Sequence, residues 1–119
     1  MNNLSVELMS NSGHIEPKLV AKRFHTTLEE VGYFTGVALS TLQKRDRMIS
    51  AKAQNQLQLV LDIISKITPW AGNTYKAYAW YRSEPIPAFG GLTAENLVTN
   101  GQAKIVKNYI EQIALGGYA

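Results

Sequence analysis

The chain contains no cysteine, so it can form neither a disulfide nor a thiolate metal site. It has two histidines, His14 and His25, with no partner at the spacing a histidine metal site requires. No run of about 18 apolar residues is present, which leaves no candidate membrane span. The first residues are polar and lack the apolar centre of a secretory signal. No serine, histidine or carboxylate set has the order of a nucleophile, base and orienting group. Gly90-Gly91 and Gly116-Gly117 lack the strand-to-helix context and the lysine of a phosphate loop. These absences direct the reading away from an enzyme and toward a cofactor-free cytoplasmic protein.

What remains is a 119-residue chain, 45% hydrophobic and 18% charged, enough for one domain or two small units sharing a core. Its net charge of +3 is unevenly placed. Residues 18–52 carry seven basic side chains against three acidic ones, while the rest carries five against six. A basic first half is the expected footprint of a nucleic-acid partner, the alternative being a solvated basic helix face.

Periodicity predicts an all-α fold. Residues 1–14 show no apolar period and read as a disordered tail. Pro17 suits the first turn of a short helix. Thr26-Thr27-Leu28-Glu29 matches a capping box, with Leu28, Val31 and Phe34 inward and Gly36 as the stop. A second helix is expected from Leu39 to Arg47. Ser50 opens the longest apolar stripe, Leu57, Val60, Leu61, Ile64 and Ile67, which Pro69 should end. Short helices are expected over 75–81 and 94–99, the latter capped by Thr93. The last helix should bury Ile105, Val106, Tyr109, Ile110 and Ile113. The expected divisions are a helix-turn-helix-like DNA-binding region over 15–68 and a second region over 69–119.

Two short helices joined through Gly36, with Gly32 at their close approach, have the ingredients of a helix-turn-helix. Val37 and Leu42 would face the core. The second helix would offer Ser40, Thr41, Gln43, Lys44, Arg45 and Arg47 to DNA, the cations for phosphates and Gln43 or an arginine for base edges. Such proteins usually read two half-sites, so a homodimer is expected.

The second region carries Trp80-Tyr81, then Pro85-Ile86-Pro87-Ala88-Phe89-Gly90-Gly91-Leu92-Thr93-Ala94, Leu97-Val98, Gly101, Val106 and a final Gly116-Gly117-Tyr118-Ala119. In order and spacing this resembles the toxin-binding domain of the MbcA/ParS/Xre antitoxins. Leu39–Leu59 is similar to the Xre-type segment of the same family, so the resemblance covers residues 16–119. Ala94 stands where the family often has proline, and Tyr81 where leucine is more usual. The resemblance implies a bacterial antitoxin that neutralises a RES-type toxin acting on NAD, and that represses its own operon. It further implies that Leu115, Gly116, Gly117, Tyr118 and Ala119 insert toward the toxin's active site, supported by Trp80, Phe89, Gly90 and Gly91. Without the resemblance, the same residues read as a frayed end and ordinary core. A stand-alone helix-turn-helix regulator, or an interaction module with a degenerate helix-turn-helix, remain the alternatives.

Overall fold

The computed structural model describes residues 3–115. Among them the chain is all-helical, with two isolated antiparallel bridges, Met9 to Ile15 and Ile86 to Leu92, and no strand. The helices are α1 (Leu4–Glu7), α2 (Pro17–Arg23), α3 (Leu28–Thr35), α4 (Leu39–Gln43), α5 (Arg45–Met48), α6 (Ala51–Ala71), α7 (Thr74–Ser83), α8 (Ala94–Thr99) and α9 (Ala103–Ala114), with a 3-10 turn at Pro87–Phe89.

Helix α6 is the spine. Ser50 caps it by accepting from the Ala53 amide. All five residues of the predicted stripe are fully buried, and so is Ile63. Burial therefore extends beyond one stripe, because α1, α7 and α9 all lie against this helix. Pro69 does not end it. The helix continues through Trp70 to Ala71, and Gly72 closes it by donating to the Thr68 carbonyl. A proline this near the C-terminus removes only the bond its own N–H would have made to Ser65, and the flanking turn is held by packing on α7. The expected boundary between 68 and 69 thus falls inside α6.

Residues 4–8 are not a disordered tail. Leu4 and Leu8, one helical turn apart, are buried. The Leu4 amide donates to Ser65 Oγ at 3.1 Å, and Ser5 Oγ donates to Asp62 at 2.9 Å. Gln54 fastens the next segment, accepting from the Ile15 amide at 2.8 Å and donating to its carbonyl at 3.0 Å. Two leucines suffice to dock a single turn when a long helix offers polar partners for its open amides.

The capping residue of α3 is Thr27, one place later than the expected box, and it accepts from the Glu30 amide at 3.1 Å. Val31 and Phe34 are buried, Leu28 half so. Gly36 takes the left-handed conformation at φ 80°, as expected. The last carbonyls of α3 are satisfied from other helices: Tyr81 Oη donates to Phe34 at 2.6 Å and Gln56 Nε2 to Thr35 at 2.8 Å. Thr93 and Asn96 form a reciprocal capping box on α8. In α9 only Val106 and Ile110 are buried. Ile105 is exposed, and Tyr109 and Ile113 are half-covered.

Candidate interaction surfaces

The predicted recognition helix is broken. Lys44 has an extended backbone, φ −110° and ψ 119°, and separates α4 from α5. Neither short helix has a side-chain cap. Leu42 and Met48 are buried on opposite sides of the break, so the chain bends to bring both inward. Val37 is buried too, and an added Cβ at Gly32 would lie 3.0 Å from the Val37 carbonyl. The close approach of α3 and the turn is therefore as expected, while the single helix Leu39–Arg47 is not.

The break alters how the six predicted DNA contacts are arranged. Ser40, Gln43, Lys44, Arg45 and Arg47 are exposed and Thr41 is half-buried. Arg45 turns to the N-terminal loop, where its guanidinium lies 3.2 Å from Glu16 and 3.4 Å from Ser12 Oγ. Arg47 and Thr41 instead border an open cleft of about 680 Å³ with Lys52, Gln56, Asp46 and Thr99. Its floor includes Val37, Ala53 and Val98. Sequence reasoning counted Lys52 in the basic segment but did not assign it to a surface. Its place in the first turn of α6, two residues after the Ser50 cap, was the available signal.

The residues assigned to the second surface fall into two places. Trp80, half-buried on α7, meets Trp70 edge-to-face with ring centroids 5.8 Å apart. Phe89, Gly90 and Gly91 form one turn pinned by buried Ile86, whose amide donates to Leu92 and whose carbonyl accepts from Gly91, each at 3.0 Å. Gly90 and Gly91 have φ of 68° and 85°, and an added Cβ at either would meet nothing within 4 Å. Backbone sign, not space, is why glycine stands there. Phe89 packs on Tyr109 of α9 at 5.5 Å. Leu115 is 87% exposed at the end of that helix. Gly116, Gly117, Tyr118 and Ala119 lie outside the described residues.

A charged node joins the two regions. Arg82 on α7 reaches Glu30 of α3 at 2.8 Å and Glu95 of α8 at 2.5 Å, and its guanidinium lies over the Phe34 ring at 5.5 Å. Burial works against its charge, but hydrogen bonds to Glu95, Glu30 and Tyr78 outweigh that and hold its pKa above the ordinary value. Its neighbour Tyr81 is fully buried. Burial first, then the Glu95 charge, pushes the phenol well up, against a smaller opposing pull from Arg82.

Among the described residues, no group of three histidines or carboxylates is placed to hold a metal, and no helix is long and apolar enough to cross a membrane. No family model matches the chain, and neither the curated proteins nor the solved structures compared with it give a match.

Proposed function

We propose that this protein is an antitoxin: an inhibitor that occludes the active site of a RES-type, NAD-directed toxin in the bacterial cytoplasm, and that binds operator DNA through its basic half. The observation that carries the reading is the ordered series from Trp80 through the Phe89-Gly90-Gly91 turn to Gly116-Gly117-Tyr118-Ala119. In support, backbone hydrogen bonds pin the turn at buried Ile86, and Leu115 is 87% exposed. Inhibition would be steric. A glycine-rich segment is narrow enough for a cleft, and Tyr118 supplies a large anchor at low rotamer cost.

Co-expression with a RES toxin tests it. Deleting 115–119 removes no buried residue of the described chain, so the fold is expected to persist while neutralisation is lost. Toxin inhibition that survives the deletion would overturn the occlusion mechanism. On the DNA side, Lys44→Ala with Arg47→Ala is expected to weaken operator binding and reduce its salt dependence by about two ion equivalents.

The second reading, a stand-alone transcription regulator, is favoured by the exposed cations Lys44 and Arg47, with Arg47 beside Lys52 at the cleft. It predicts that the same deletion has no effect on any partner.

A further inference from the structure

The open cleft of about 680 Å³ is built from three segments remote in sequence. Val37 comes from the turn after α3, Arg47 and Lys52 from the junction of α5 and α6, and Val98 and Thr99 from the end of α8. The two cations share it only because the helices are separate. Five positions apart on one continuous helix, Arg47 and Lys52 would stand about 140° apart at about 100° per residue. The extended backbone of Ser50, φ −60° and ψ 151°, turns the chain between them, and both line the same opening.

The fold does not use either charge. Among the described residues the four ion pairs engage Arg23, Arg45 and Arg82, but not Arg47, Lys52 or Asp46, the one carboxylate that lines the cleft. Two positive charges against one negative leave the opening at +1. The Thr41 and Ser50 hydroxyls line it too, and Ser50, which accepts from the Ala53 amide, keeps its own proton to donate. Val37, Ala53 and Val98 form a buried apolar floor, and the volume is that of a small-molecule site, well beyond what a bare ion fills. We propose that this cleft binds a small organic phosphate, a phosphomonoester whose charged group sits between Arg47 and Lys52 and whose body lies on the floor. A guanidinium, an ammonium and two hydroxyls suit the three terminal oxygens of such a group. Its dianion also gains twice the attraction that a carboxylate would gain from the same net charge. Arg47 and Thr41 belong to the proposed DNA surface as well, but the inference goes beyond that reading and does not rest on it.

Phenyl phosphate, a dianion at about pH 7.5, is the probe, titrated into the full chain. Amide shifts are expected at Val37, Ala53 and Val98 together, saturating with a dissociation constant on the order of 1 mM. Phenol and inorganic phosphate each carry one part of the ligand and should bind about tenfold more weakly. Arg47→Gln and Lys52→Gln should each weaken binding about fivefold, whereas Asp46→Asn should tighten it about twofold. All three side chains are exposed, so circular dichroism should be unchanged in each variant. No saturation by about 20 mM would overturn the proposal. So would binding that Arg47→Gln and Lys52→Gln leave unchanged, or inorganic phosphate binding as tightly as phenyl phosphate. Equal affinity for methyl phenyl phosphate, which carries one charge as a nucleic-acid backbone phosphate does, would also overturn it and assign the cleft to a strand. Neither toxin nor DNA enters the experiment, so its failure leaves the proposed function untouched.

Discussion

Tyr81 donates its hydroxyl proton to the Phe34 carbonyl from a fully buried position. That oxygen belongs to the last turn of α3, where no backbone amide is available to it. Tyr81→Phe keeps the ring and removes the only donor to that carbonyl among the described residues, so it leaves a buried acceptor unpaired. The expected cost is about 1–3 kcal/mol, read from the urea midpoint at constant m-value. The same phenol makes stability depend on pH. Its folded pKa is raised above its ordinary value of 10.0, so the contribution is complete below pH 10. It is lost as pH rises beyond 10, because the unfolded chain ionises first. Stability should fall by about 1.4 kcal/mol per pH unit there, and this component should be absent from Tyr81→Phe. Tyr81 is also the position where the resembled family more often has leucine. Leucine could fill the space, but it could not close the end of α3.

At the scale of elements, apolar spacing was a good guide wherever one helix decided its own fate, and a poor one where two helices decided jointly. The α6 stripe, the Gly36 stop and the Thr93 cap were legible because each depends on residues within one or two turns. Leu4 and Leu8 were overlooked since a four-residue helix is unstable alone; its partners, Ser65 and Asp62, lie some sixty positions away. The break at Lys44 was illegible for a similar reason. Nothing in Leu39–Arg47 forbids a helix, but burying both Leu42 and Met48 requires the bend. The candidate DNA contacts are divided by that break, and all of them except half-buried Thr41 are exposed. Between α3 and α4 the packing leaves no room: Gly32→Ala would set a methyl 3.0 Å from the Val37 carbonyl, which is backbone and cannot rotate away. That substitution is expected to cost about 1–3 kcal/mol in thermal or urea unfolding. It should also shift the α4–α5 segment, seen as amide chemical-shift changes at Ser40 to Arg47. Gly90→Ala offers the contrast. Its Cβ is unobstructed, so only the positive φ penalises it, by about 1 kcal/mol.

Across the whole molecule, the two expected regions share too much to be independent. Helix α6 passes through the expected boundary and is buried against α1 on one side and α7 on another. Tyr81 from the second region completes α3 of the first, and Arg82 binds Glu30 of α3 together with Glu95 of α8. The radius of gyration, 14.0 Å, is near the roughly 13.5 Å expected for one domain of this length. Thermal unfolding should therefore be a single transition with calorimetric and van't Hoff enthalpies in agreement. An isolated 15–68 fragment should fail to fold, since Ile63, Ile64 and Ile67 would lose the α1 and α7 surfaces that cover them. Two resolved transitions, or a folded fragment, would show that the shared spine is not what unites the molecule. Arg82→Gln separates the node from the spine. The ion pairs are partly solvated, with the arginine side chain 23% exposed, so their loss should cost only about 1–2 kcal/mol. Unfolding should remain a single transition, at a lower temperature, because the hydrophobic continuity through α6 is intact.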